Sequence, residues 1–540
     1  MLRNQHKRYA SLLSLLLALT LLLSACGGGG SNSTPAPAPD NGGSEPAAAG
    51  SNGSGGITSA KDRLTFAISS DPVNLDPNDS TLLGHHHVTR QMYETLVVRD
   101  ENMELVPCLA ESWEYEDDET LVFKLKKGVK FHNGEELKAS DVYFTFQRVQ
   151  ESGLPGSLQI NYVDLDRTEI RDDYTIAVVT KGPYPLQLPM LESSQIAIFS
   201  EKGYKDNNGD FNKVSYGTGP FQLEEYVSGE SVLLKAFEDY RIPEQPYLKE
   251  VFFRVIQDNA SRAIEVETGG VDVAFGVNAT DVERLDADPN VNLIRAPIFQ
   301  GTWLNFNTKA KPLDDIRVRQ AIMHAINREA AVKVSYLGVG SVADGIFAPG
   351  LEGRHPDLTG MFPEYNVEKA KELLAEAGYP DGITISVITD NNDTMRMAFC
   401  EAIQAQLAQA NITLELNFAE SNAWSETLYA GKHQLGIYGL SGTTGEVGRC
   451  LLRFLPEANE YNIWGFDNPE FLDTIRKGLA TIDDQTRWDL FIEAQQMIAD
   501  NYILLPFWFK EQLVATGSDV KNLWVAPTYE YIYLGEVYFG

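Results

Sequence analysis

Hydrophobic positions along the chain switch repeatedly between two spacings, and the switches outline the elements. Runs dense in β-branched and aromatic residues, or alternating apolar with polar, read as strands, whereas apolar residues at i, i+3 and i+4 mark helix faces. Leu64–Ile68 is the first strand. Leu121, Phe123 and Leu125 alternate with Val122, Lys124 and Lys126, as a half-buried strand does. Phe131-His132-Asn133-Gly134 is a turn, and Ser140 is placed to cap a helix from Asp141. Val251–Ile256 is a strand, Ser261–Glu267 a short helix and Val273–Val277 a strand. Ile298–Phe306 is a strand anchored by Trp303 and Phe306 and stopped by Asn307, Thr308 and Pro312. Asp314 is placed to cap the next helix, whose apolar face is Val318, Ala321, Ile322, Ala325 and Ile326.

Beyond that helix, helices and strands alternate. A helix from Val367 carries Ala370, Leu373, Leu374 and Ala377 at core spacing and ends at Gly378. Strand Ile383–Ile388, helix Met395–Ala410, strand Thr413–Phe418, helix Ala423–Ala430 and strand Leu435–Leu440 follow. Helix Gln485–Ala499 and strand Ile503–Phe509 complete the series, which is α/β architecture.

Length and charge narrow the picture. At 540 residues the chain exceeds one core and implies several domains. A net charge of −32 argues against nucleic acid or an anionic membrane surface as a partner, since both need basic patches. Four cysteines in this length are not a disulfide framework, and whether Cys108, Cys400 and Cys450 pair is left open.

The N-terminus carries an address. Arg3, Lys7 and Arg8 precede the apolar run Tyr9–Leu23, which is too short to span a bilayer. Leu23-Ser24-Ala25-Cys26 then matches a bacterial lipoprotein cleavage signal. Lipidation of Cys26 would supply two acyl chains, enough for stable anchoring. Gly27–Ala60 is rich in Gly, Ser, Pro and Ala and reads as a tether with an r.m.s. span of about 30–35 Å.

Several stretches have a distinctive wording. Asn305-Phe306-Asn307 closes the strand before Pro312-Leu313-x-Asp315-x-Arg317-Val318-Arg319, and Ala325-Ile326-Asn327-Arg328 follows. Pro72-x-x-Leu75-Asp76-Pro77, the run from Trp113 to Val142, Gly217-Thr218-Gly219-Pro220-Phe221 and Gly270-Val271-Asp272 share that character. Together they resemble family 5 of the bacterial extracellular solute-binding proteins, the peptide- and glutathione-binding receptors of ABC importers. The resemblance covers residues 62–540 and implies an α/β, two-lobed, type II periplasmic-binding-protein-like fold in its large three-subdomain form, with a hinge between lobes. The implied organisation is signal peptide 1–26, tether 27–60, first lobe 61–112, an extra subdomain 113–210, first lobe again 211–300, second lobe 301–512 and a C-terminal return to the first lobe over 513–540.

Enzyme signatures are weak. Gly439-Leu440-Ser441-Gly442 lacks the last glycine of a nucleophile elbow, and Ser518-x-x-Lys521 lacks its companion motif. Gly338-x-Gly340-x-x-Ala343 follows a helix, not a strand, and Asp206-x-Asn208-x-Asp210 has Phe211 where a calcium loop needs glycine. No catalytic role and no cofactor is expected. His85, His86 and His87 invite a metal hypothesis, but adjacent residues do not share one face, so they read as a helix-entry loop with no metal site.

The binding stretch is placed at Tyr438–Glu446, whose three glycines after a strand let a backbone approach a ligand. By resemblance this loop faces the cleft, and Glu446 supplies an acid for a ligand's ammonium, with few cations nearby in sequence. Its loss would then weaken binding while sparing the empty protein. Gly448 and Leu440 replace the aspartate and tryptophan usual in the glutathione-binding branch. The other cleft candidates by resemblance are Gly84, His85, Phe275, Gly276, Val277, Trp303, Trp424, Tyr438, Gly439 and Ser441. Trp303 and Trp424 read equally well as core aromatics.

The implied partners are a peptide or peptide-like solute, bound in the manner of an added strand, and an ABC permease with its ATPases. The chain is expected to act as a monomer outside the cytoplasm, held to the membrane by Cys26. The same scaffold also hosts receptors for nickel chelates, opines and oligosaccharides. A cell-surface hydrolase and a signalling co-receptor are the alternatives from other classes. Cys26→Ala should release the protein from the membrane fraction, and mass spectrometry should find acyl chains on the wild-type N-terminus. Unchanged fractionation with no lipid mass would refute the anchor.

Overall fold

A computed structural model describes residues 57–358, 360–458, 462–528 and 532–540. Cys26 and most of the tether lie outside them. Among the described residues no helix is long and apolar enough to cross a membrane.

One eleven-stranded sheet runs through the body. In spatial order its main strands are 412–419, 383–390, 435–441, 291–306, 504–517, 273–275, 63–68, 250–255, 231–236 and 221–227. The first three are mutually parallel, as are 273–275, 63–68 and 250–255. Between these groups stand the crossover strand Val291–Phe306 and the return strand Leu504–Gly517, paired antiparallel. Their length lets them belong to both halves. A separate four-stranded antiparallel sheet holds Ala110–Tyr115, Thr120–Leu125, Thr175–Val179 and Glu169–Asp172.

The pairing of crossover and return strands has a defect at its middle. Val291–Pro297 pairs with Gly517–Glu511, and Gly301 onward pairs with Phe509 and the residues before it. Ile298, Phe299 and Gln300 thus face Lys510 alone. The backbone groups of Phe299 go elsewhere: its N–H donates to the Pro527 carbonyl at 2.7 Å and its carbonyl accepts from Gly442 N at 2.6 Å. A bulge of this kind bends and re-aims a strand while keeping its polar groups satisfied.

Separate apolar clusters fill the two sides of this defect. One gathers Trp303, Phe306, Ile322, Leu374, Ile385, Phe399, Ile437 and Phe507 from the second half of the chain. Another holds Leu64, Phe66, Phe221, Val251, Phe253, Phe275 and Val514. A third, with Leu121, Phe123, Phe131, Val142 and Phe146, belongs to the four-stranded sheet and the helix over it. Distinct cores joined by two strands are what relative motion of the parts requires.

Helix starts differ in detail from the sequence reading. Asp315, not Asp314, caps helix Ile316–His324, accepting from Arg317 N at 2.9 Å. Helix Ala139–Ser152 begins before Ser140, and the Asp141 carboxylate turns back to Lys138 N at 2.9 Å. The larger correction concerns the histidines. They do not form an entry loop; they lie inside helix Leu83–Met92, which is covered on most sides, so three adjacent side chains are all buried. His85 Nε2 meets the Asp76 carbonyl at 2.8 Å, His86 Nδ1 meets Ser194 Oγ at 3.0 Å, and the His87 ring packs 4.3 Å from Phe275.

Burial disfavours the charged imidazole. It pushes His85 down to about 4, His86 to about 2 and His87 to about 3. Burial also takes His132 and His433 to about 4. Below pH about 6.5 the unfolded chain takes up protons that the folded chain refuses, so stability falls as the pH drops toward 4. Each histidine contributes at most about 1.4 kcal/mol per pH unit in that window. Urea unfolding at pH 7, 6 and 5 should show this fall, and His87→Phe should reduce the slope by about one proton's worth. An unchanged slope would mean that His87 protonates freely in the folded state.

Candidate functional site

The loop after strand Leu435–Ser441 is built to sit close to the bulge. Gly439 lies against the crossover strand, where an added Cβ would fall 2.3 Å from the Gly301 carbonyl oxygen. Gly442 donates to Phe299, as above. Gly445 has φ +75°, and a side chain there would strike the Arg99 guanidinium at 2.6 Å. On the loop's other side Glu352 N donates to the Gly445 carbonyl at 2.9 Å, and Val447 N donates to the Glu352 carbonyl at 3.0 Å. The glycines therefore serve backbone packing between elements as well as any ligand.

Arg99 ties the loop to the first half of the chain. Its Nε donates to Glu192 Oε2 at 3.0 Å, and both side chains are about 95% shielded, with 4% and 5% exposure. Its remaining nitrogens donate to the Met103 and Thr444 carbonyls. A buried guanidinium needs such full pairing, because an unpaired charge at this depth costs several kcal/mol.

Glu446 occupies a different setting from the one expected. It is 1% exposed and its Oε1 accepts from Arg487 Nε at 2.8 Å, with Oε2 3.3 Å from Arg487 Nη2. Arg487 comes from helix Asp484–Asp500 and also donates to Asp484 at 2.6 Å. Burial pushes the Glu446 carboxyl above its ordinary range, against the pull of Arg487. The expectation of few cations near Glu446 is thus corrected: its partner lies 41 residues away in sequence and was not legible there.

The other sequence candidates divide into three groups. Gly84, His85, Phe275 and Trp303 are packed inside the body. Gly84 approaches Ser70 so closely that a Cβ would lie 2.4 Å from its carbonyl oxygen. Trp303 is fully buried and its Nε1 donates to the Ile346 carbonyl at 2.8 Å, the core role rather than a cleft role. Gly276 and Val277 line a cavity of about 630 Å³ with Thr394, Met395 and the return-strand residues Lys510 to Leu513. The left-handed Gly276, at φ +74°, is fixed there by Gly276 N to the Leu513 carbonyl and by Arg262 Nη2 to its own carbonyl, at 2.9 and 2.6 Å.

Tyr438, Gly439 and Ser441 line a second cavity, of about 250 Å³. Trp424 is half-buried with its ring 6.1 Å from Tyr438. Arg449 and Arg453, which the sequence reading passed over, line this second cavity too. A small adjoining cavity brings Thr443 and Thr444 against Arg90, Glu192 and Ser193 of the first half. Among the described residues no group of His, Cys, Asp and Glu is arranged to hold a metal ion, and Cys108, Cys400 and Cys450 are buried free thiols.

The corrected setting of Glu446 reverses an expectation about stability. Glu446→Gln leaves the Arg487 charge short of its main partner and should cost about 3–5 kcal/mol in urea unfolding. Pairing it with Arg487→Met should recover part of that loss, as coupled residues do in a double-mutant cycle. A single-mutant loss under about 1 kcal/mol would show the pair to be solvated.

Comparison with known proteins agrees with this architecture. Residues 104–462 match the family described as bacterial extracellular solute-binding proteins, family 5 Middle. The glutathione-binding protein GsiB of Escherichia coli is 27% identical over 478 residues, covering 87% of this chain and 93% of GsiB. Among solved structures, HbpA2 from Haemophilus parasuis superposes with a TM-score of 0.79 at 25% identity, covering 88% of this chain and 100% of HbpA2. The periplasmic binding protein DppA from Helicobacter pylori, in complex with the peptide STSA, gives a TM-score of 0.71 at 27% identity over 88% of this chain and 98% of DppA. The fold is that of a type II periplasmic binding protein. With more than half of its length matched, the chain belongs to the family 5 bacterial extracellular solute-binding proteins.

Proposed function

We propose that this protein is the receptor of an ABC importer, anchored outside the cytoplasm by lipid on Cys26, which captures a peptide-like solute by hinge closure and hands it to the permease. The observation that carries this reading is the interrupted pairing at Ile298–Gln300, beside two cavities and between separate cores. A defect there, with a second register shift between Thr302 and Trp303, allows the halves to rotate while the pairing on either side holds, as hinge motions require. The relatives' ligands, glutathione and the peptide STSA, support a peptide-like solute. The receptor reading assigns no bond-breaking step: the acid of the candidate loop, Glu446, is already held by Arg487.

Small-angle scattering with and without glutathione or a mixed tripeptide pool tests this reading. The radius of gyration should fall on ligand addition, and mass spectrometry should recover the bound ligand intact. Turnover of the ligand into products would replace a receptor with a hydrolase.

A further inference from the structure

A hydrogen bond crosses from the first half of the chain to the loop after strand Leu435–Ser441. Arg99 ends the short hairpin strand Val97–Arg99, which pairs with Leu105–Pro107. Its Nη2 donates to the Thr444 carbonyl at 2.5 Å. On its own side the guanidinium is oriented by Nε to Glu192 Oε2 at 3.0 Å and by Nη1 to the Met103 carbonyl. Three acceptors from three parts of the chain leave the planar fork one orientation that satisfies them all. Thr444 belongs to the other half. Strand Leu435–Ser441 pairs with Gln300–Phe306, and Glu352 exchanges backbone hydrogen bonds with Gly445 and Val447, so the loop is carried by the second half. Gly445 follows Thr444, and a Cβ there would lie 2.6 Å from Arg99 Cζ, so only glycine lets the guanidinium come this close. Rotation about the bulge at Ile298–Gln300 therefore makes or breaks the Arg99–Thr444 bond, while Arg99–Glu192 stays together on one side.

We infer that Arg99 is a closure latch, which bonds the Thr444 carbonyl when the halves close and so slows the escape of a bound solute. The inference rests on the receptor reading above and adds the residue that sets how long closure lasts. Glu192 is a positioning residue that acts through Arg99. A hydrogen bond from a charged donor, sheltered from water, is among the stronger ones. In the open form the guanidinium keeps Glu192 and Met103 and exchanges the Thr444 carbonyl for water, so the bond weights the equilibrium toward closure. Its acceptor is a main-chain oxygen of the protein itself. The latch thus governs retention and leaves the choice of solute to the cleft.

The full chain, freed of copurified solutes, is compared with Arg99→Gln, with the pair Arg99→Met/Glu192→Leu and with Gly445→Ala. Each is mixed with glutathione or a mixed tripeptide pool, and solute release, radius of gyration and urea unfolding are measured. If the ion pair were structural only, replacing both charges together would restore stability and everything else with it. The latch predicts a split. The pair variant should unfold near the wild-type midpoint, yet release solute about 10-fold or more faster and keep a larger radius of gyration with solute present. Gly445→Ala reaches the same contact from the other half by pushing the guanidinium aside. It should also speed release, and add little further in the Arg99→Gln background. Should the Arg99 variants fail to fold, Gly445→Ala decides alone. Release at the wild-type rate from the folded pair variant, or from Gly445→Ala, overturns the latch and leaves the receptor reading intact. No solute captured by the wild type overturns the receptor reading. The radii of gyration then decide the latch: larger values in the variants uphold it, and equal values overturn it.

Discussion

The antiparallel pairing of the crossover and return strands is the constraint on which the rest depends. These two strands carry sheet hydrogen bonding from one half of the body into the other. A continuous ladder would make the body rigid, whereas its loss would leave two units on loose linkers. The three residues opposite Lys510 give an intermediate solution. The backbone groups of Phe299, at their centre, are satisfied by Pro527 and Gly442, which lie outside the ladder. The return segment and the candidate loop are therefore coupled to the bulge through single hydrogen bonds. Such bonds are each worth about 1 kcal/mol net, small enough to exchange during motion.

Buried charge is concentrated where the halves meet. Arg99–Glu192 and Glu446–Arg487 are among the least exposed ion pairs in the body. Pairs of this kind rarely add stability over an apolar replacement, because desolvation offsets the attraction. Their value lies in geometry. Arg99 fixes the height of the Thr444 carbonyl, and Arg487 fixes the loop end at Glu446. With both ends held, the loop presents Tyr438 to Thr443 to the cavity as a defined surface.

Much of the architecture was legible in the sequence because its determinants are local. Strand Leu435–Leu440 and the helix with Ala370, Leu373 and Leu374 announce themselves by period, and the structure has them at Leu435–Ser441 and Val367–Glu376. What escaped depends on residues distant in the chain. The histidine triplet looked like a loop because no single helix face accommodates three neighbours; only enclosure by Phe66, Phe275 and Ser194 makes a helix there tolerable. Trp303 read equally well as cleft or core until the Ile346 carbonyl resolved it. Glu446 looked free because Arg487 belongs to another helix. The i, i+4 arginines at 449 and 453 were visible as a local signal, but only the fold places them at a cavity beside Tyr438 and Ser441.

The same facts set the direction of selectivity. A family scaffold that can pair an acid with an ammonium here keeps its acid, Glu446, and supplies it with an internal cation. A ligand ammonium entering this loop would have to displace Arg487 from a buried, hydrogen-bonded pair, and breaking such a pair costs several kcal/mol before any gain. The strongly acidic surface, at a net charge of −32, would repel an anionic solute at long range, but salt screens that field within about 10 Å. Inside the cleft the groups in direct contact with a solute dominate. Discrimination between solutes is therefore decided by contact after encounter, in the dissociation rate more than in the association rate.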